Sequence, residues 1–133
     1  MSSLSYYNPP GAAQKHSELG HYSQAVDLGN GLVKCAGQGG WDPDTGDLDS
    51  NDSDKQVQLA IENVDRVLRE SGLRGWEDVY LLRSYHVDIR TSWEPTVRAL
   101  KERIPSHRPV CFSLLKSLLE QDSDFAPNCT KLH

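Results

Sequence analysis

No apolar run in this sequence approaches the roughly 20 residues that a membrane-crossing helix needs, which excludes a helical span. The first residues, Met1-Ser2-Ser3-Leu4-Ser5-Tyr6-Tyr7, have neither a basic start nor an apolar stretch, so no secretory leader is expected and a cytoplasmic setting is. Cysteine is scarce. Cys35, Cys111 and Cys129 form an odd set without metal-ligand spacing, and free thiols are expected rather than a disulfide framework or a metal site. Basic charge is in deficit, with 14 Lys and Arg against 19 Asp and Glu and a net charge of −5. That disfavours nucleic acid as a partner, because phosphate-backbone binding rests on clustered Lys and Arg. The acidic stretch Asp42-Pro43-Asp44-Thr45-Gly46-Asp47 lacks the spacing and the closing bidentate Glu of a calcium loop, so a solvated turn is expected. There is no internal repeat and no low-complexity linker. What is present is ordinary: 133 residues, 37% hydrophobic and 25% charged, enough for one domain with a modest core.

Residues 1–20, with Pro9-Pro10-Gly11, several serines and little periodicity, read as an extended N-terminal arm. Gly29-Asn30-Gly31 is a turn signal between two short apolar runs, predicting a hairpin over 22–38. Val57, Ala60, Ile61, Val64 and Leu68 recur at helical spacing after the capping candidates Asn51 and Ser53, and Gly72 ends the helix. From Val79 to Ile89 the period changes to two, and both sides carry apolar residues, as in a central strand covered on both faces. Ser92 can cap a second helix with Pro95 in its first turn and with Trp93, Val97, Leu100 and Ile104 buried. A strand is expected to begin at Arg108. The order β-β-α-β-α-β predicts an α+β fold, with two helices packed on one face of a mixed sheet.

The stretch with the most functional content is Lys34-Cys35-Ala36-Gly37-Gln38-Gly39-Gly40-Trp41. Its glycines let a backbone approach something closely or turn sharply, and Gln38 can donate and accept hydrogen bonds there. Pocket lining and a simple bulge-and-turn both fit. Taken alone, Arg108 reads as a surface ion-pair partner, Tyr22 as a half-buried strand aromatic and His86 as a hydrogen-bonded core histidine. Cys35 and Cys111 read as small buried hydrophobes.

Several motifs in sequence resemble the YjgF/RidA family of small enamine/imine deaminases, also described as endoribonuclease L-PSP-like. They are His21-Tyr22-Ser23-Gln24-Ala25-Val26, Gly29-Asn30, Ala36-Gly37-Gln38, Asp42-Pro43-x-Thr45-Gly46, the helix from Gln56 to Leu68, and Arg108-Pro109. The resemblance covers residues 21–110 as a domain and leaves 111–133 as a divergent C-terminal segment. It implies a chorismate-mutase-like fold, a homotrimer with ligand clefts between subunits, and hydrolysis of reactive imines without metal or organic cofactor. It further implies that Arg108 grips a substrate carboxylate, that Tyr22, Gly37 and Gln38 line the cleft, and that the backbone of Val110 helps orient the attacking water.

Two departures bear on activity. Ala36 stands where many relatives have a serine. The alternating apolar/Glu strand that closes the family's sheet, with its water-handling glutamate, has no counterpart in 111–133, where Leu114, Leu115, Leu118 and Leu119 look helical and Glu120 is wrongly spaced. The expected function is binding of small carboxylated imines or enamines, with hydrolysis to 2-oxo acids and ammonia weakened. The alternatives are a non-catalytic, metabolite-binding accessory role and, against the charge balance, endoribonuclease activity.

Overall fold

A computed structural model describes residues 3–49, 51–115 and 131–132. Its elements run β1 (Ser5–Tyr7), α1 (Ala12–Gly20), β2 (Ala25–Asp27), β3 (Val33–Cys35), β4 (Gln38–Gly39), α2 (Ser53–Glu70), a 3-10 turn (Trp76–Asp78), β5 (Leu81–His86), α3 (Ile89–Arg103), β6 (Val110–Leu115) and β7 (Lys131–Leu132). Strands β1-β2-β3 form one antiparallel sheet, and β4-β7-β5-β6 a second, in which β5 and β6 are parallel. This is an α+β fold, as expected.

Helix α2 organises the core. The Asp52 side chain accepts from Lys55 N–H at 3.0 Å, so the N-cap lies between the two residues named from sequence. The face Val57, Ala60, Ile61, Val64 and Leu68 is buried, with Trp76, Leu82 and Ile104 packed on it. Gly72 follows at φ +87°, the left-handed geometry that releases the chain from the helix. The hairpin also forms: Ala25 pairs with Cys35 and Asp27 with Val33. Its turn has positive φ at Gly29 and Gly31, and Gly29 N–H donates to Asp27 Oδ1 at 2.8 Å.

Four expectations need correction. The N-terminal arm is not simply extended: β1 pairs with β2, and residues from Ala12 form a helix. That helix is held by tertiary bonds that composition does not reveal. Ala12 N–H donates to Pro43 O at 2.9 Å, and Gln24 Nε2 donates to Ala13 O at 2.9 Å. Helix α3 begins at Ile89 because Asp88 caps it, its carboxylate accepting from Arg90 N–H at 3.0 Å; Pro95 is therefore inside the helix. Ser92 instead donates to Asp88 O at 2.9 Å. With that register Ser92 and Thr96 are buried, while Trp93 is 45% exposed. Strand β5 is covered on one face only within a single chain, since Leu82, Ser84 and His86 are buried but Leu81 and Arg83 are exposed. Lastly, Leu114 and Leu115 lie in strand β6, not in a helix, because they continue the parallel pairing onto Tyr85 and His86. Strand β7 pairs with both β4 and β5, so the sheet does have a short closing strand. Leu118, Leu119 and Glu120 lie outside the described residues.

Candidate functional site

The glycine-rich stretch connects β3 to β4, and the group that approaches it closely is α2. A Cβ on Gly40 would stand 2.5 Å from Gln56 Cα and 2.7 Å from its carbonyl carbon, so only glycine lets strand and helix meet here. Asn63 of α2 reaches back, its Nδ2 donating to Gly39 O and Trp41 O, both at 2.9 Å. The close approach at Gly40 is therefore a packing device.

Gln38 points inward and is fully buried, as is Gln24. Gln38 Nε2 donates to Gln24 Oε1 at 2.6 Å and to Ala36 O at 3.2 Å. Gln24 Nε2 in turn donates to Ala13 O and, at 3.2 Å, to the Tyr22 hydroxyl. Because both groups facing Gln38 Nε2 are acceptors, the amide orientation is fixed. Gln38 Oε1 is left buried without a partner among the described residues. Gln24 is thus the hub that ties Tyr22 to Gln38. In the sequence it stood only as one letter of a motif. The available signal was a polar residue directly before the apolar pair Ala25-Val26.

Tyr22 is 42% exposed and opens on a cleft of about 430 Å³, whose walls include Tyr6, Ala25, Lys34, Cys35 and Ala36. Burial pushes the Cys35 thiol up to about 11, so at neutral pH it is protonated and no nucleophile. Gly37 is half-buried between β3 and β4. Arg108 and Val110 stand elsewhere. Strands β4 and β6 are the opposite ends of the four-stranded sheet, and Arg108 lies in the connection that enters β6. Arg108 is exposed and has no ion pair among the described residues. Val110 is 68% exposed, yet its N–H is committed to Tyr80 O at 2.9 Å. Within one chain, then, Tyr22, Gly37 and Gln38 gather around Gln24, and Arg108 and Val110 form a second group at the far edge. Cys111, expected to be buried, is exposed.

His86 is a hydrogen-bonded core residue, 1% exposed, with Nδ1 2.6 Å from Ser92 Oγ and Nε2 2.9 Å from Ser84 Oγ. Burial pushes its pKa below the ordinary 6.5. Below that value the unfolded chain binds a proton that the folded chain resists, so stability rises with pH there. Chemical denaturation should show stability falling as pH drops below about 6.5, with a slope of at most about 1.4 kcal/mol per pH unit from this group. The His86→Gln variant should lose that component of the slope.

The sequence profile described as Endoribonuclease L-PSP matches residues 13–124. A RutC family protein of Aquifex aeolicus is 38% identical over 72 residues, which cover 54% of this chain and 55% of that protein. The chain thus spans about half the length of the curated relatives it matches. Among solved structures, Rv2704 of Mycobacterium tuberculosis, a member of the YjgF/YER057c/UK114 family, superposes with a TM-score of 0.72 at 22% identity, covering 98% of this chain and 95% of that one. E. coli TdcF with bound serine superposes with a TM-score of 0.68 at 21% identity, covering 84% and 83%. At these identities the structures speak for the fold alone.

Proposed function

The chain belongs to the Endoribonuclease L-PSP (YjgF/RidA) family, and from that premise we propose that it binds small carboxylated imines, enamines or the related 2-oxo acids, with Arg108 as the carboxylate clamp. The observation that carries this reading is an exposed guanidinium, unpaired among the described residues, at the position that matches the family's arginine. Its planar fork suits a carboxylate bidentately. That TdcF holds serine, another small carboxylated molecule, agrees with this class of ligand. The net charge of −5 weighs against RNA as the substrate.

Hydrolysis in this chain is weak. The closing strand β7 carries Lys131 and Leu132 and no carboxylate to handle the attacking water, and Ala36 removes a polar group near Tyr22. A positioned proton acceptor contributes about 10²–10⁴-fold to such a step. Turnover of 2-aminoacrylate, assayed beside a relative that keeps the glutamate, should be lower by a factor in that range. Equal turnover refutes the weakened reading and leaves the binding reading standing. A non-catalytic, metabolite-binding role is the second reading, favoured by the same missing carboxylate.

The family-type trimer would unite the two separated groups, placing the Tyr22 edge of one subunit against the Arg108 edge of the next. The outer face of β5 and β6 suits it: Leu81 lies beside Val110 and Arg83 beside Phe112, with Phe112 55% exposed. An apolar patch of this kind on a sheet marks an interaction surface. Burying one Phe contributes about 1.5–3 kcal/mol, and a charge in its place is costly. Phe112→Glu should convert a trimer to monomers in sedimentation velocity; an unaltered profile rules out this face as the interface.

A further inference from the structure

Three hydroxyls and His86 form a directed chain that ends at an open cleft. Ser92 Oγ lies 2.9 Å from Asp88 O, a carbonyl that can only accept, so the one Ser92 proton points there. Ser92 must then accept from His86 Nδ1–H, 2.6 Å away. With Nδ1 protonated in a neutral ring, Nε2 holds a lone pair and accepts from Ser84 Oγ at 2.9 Å. Ser84, its proton so committed, accepts from Ser113 Oγ at 2.7 Å. The proton of Ser113 therefore points inward, toward a base, and its oxygen lone pairs are left for the outside, where Cys111 Sγ is 3.5 Å away. Outside is a cleft of about 560 Å³ walled by Ile89, Arg90, Trp93, Glu94 and Ser113. Ser84 and Ser92 alone satisfy both ring nitrogens of His86. Ser113 adds nothing to that satisfaction but carries the chain from the buried ring to the surface.

The geometry points to Ser113 as a base-linked nucleophile for uncharged carboxylic esters with a small apolar acyl group, held against Ile89 and Trp93. This site does not involve Arg108. Ser113 faces the helix side of β6, with Cys111, whereas Val110 and Phe112 face the other side. In the reaction Ser113 Oγ bonds to the ester carbonyl carbon and the carbon–oxygen bond to the alcohol breaks. The Ser113 proton passes to Ser84, whose own proton passes to His86 Nε2. The imidazolium returns a proton through Ser84 directly to the departing alkoxide, since the acylated Ser113 oxygen no longer carries one, and water then releases the acid and restores the serine. Such a relay is the general form of an activated hydroxyl.

The test is acetylation by p-nitrophenyl acetate, read as p-nitrophenolate release and as the acetylated peptide in mass spectrometry. The expected result is one acetyl group on Ser113, none in Ser113→Ala, and acylation slower by about 10²-fold in Ser84→Ala. Ser84→Thr, which keeps a hydroxyl, should recover most of the rate, which a purely structural role of Ser84 would not produce. An unmodified Ser113 in the parent protein overturns the proposal whatever the variants do. So does an acetyl group on Cys111 instead, or acylation of Ser113 at the parent rate in a folded Ser84→Ala protein.

Discussion

Replacing Trp76 with Ala is expected to lower the free energy of unfolding by about 3–5 kcal/mol, the range for deleting a buried large aromatic. The indole is 2% exposed and lies in the core cluster against the apolar face of α2. Its Nε1–H donates to Ile61 O at 2.8 Å, and its backbone N–H donates to Asp65 Oδ1 at 3.3 Å. Both partners are on α2, so the single 3-10 turn at Trp76–Asp78 fixes where the chain leaves that helix and enters β5. The truncation leaves a cavity where helix, turn and sheet meet. Trp76→Phe keeps most of the apolar volume and loses the donor, so a smaller cost of about 1–2 kcal/mol follows from the unmade bond and the residual void. Urea denaturation should show the midpoint falling in the order parent, Phe, Ala, with an unchanged slope. A loss below about 1 kcal/mol for Ala would mean that Trp76 does not organise the junction.

Trp76 also marks the limit of what the sequence discloses. The Val57, Ala60, Ile61, Val64, Leu68 stripe was legible because its helical period is written in local order, and the alternation over β5 was legible for the same reason. Trp76 stood in a short Gly-containing connection, where nothing local indicates that a ring is the centre of a core; only the fold brings Ile61 to it. Helix α1 was missed on similar grounds, because its stabilising partners, Pro43 and Gln24, are remote in sequence. The register of α3 departs from the one expected with Ser92 as its cap, because Asp88 takes that place. Asp88 prevails by capping Arg90 N–H while Ser92 turns to His86 and Asp88 O. At the candidate site the residue types were readable and their grouping was not. Spacing along the chain says nothing of β4 and β6 lying at opposite ends of one sheet, nor of Gln24 joining Tyr22 to Gln38. The glycines of the stretch 34–41 allow either close backbone approach or a sharp turn, and at Gly40 the approach exists, with a helix as the partner.

Replacing Arg108 with Ala should remove most of the affinity for small 2-oxo acids and leave the fold intact. A hydrogen bond to a charged group is worth about 1.5–3 kcal/mol net, so losing one such contact weakens binding about ten- to hundredfold, and losing a two-pronged clamp weakens it further. Stability has little at stake: the side chain is exposed and carries no ion pair among the described residues, and changes at such surface positions are usually within about 0.5 kcal/mol. The separation of the two effects is what makes the experiment decisive. Arg108→Lys keeps the charge but replaces the planar fork with a single ammonium, so affinity should fall between parent and Ala. Titration calorimetry with 2-oxobutanoate, run at fixed low salt because an exposed clamp is screened, should rank the three proteins in that order. If the Ala variant binds as tightly as the parent while its melting temperature is unchanged, the carboxylate is held by another cation. Lys34 in the Tyr22 cleft would be the next residue to replace.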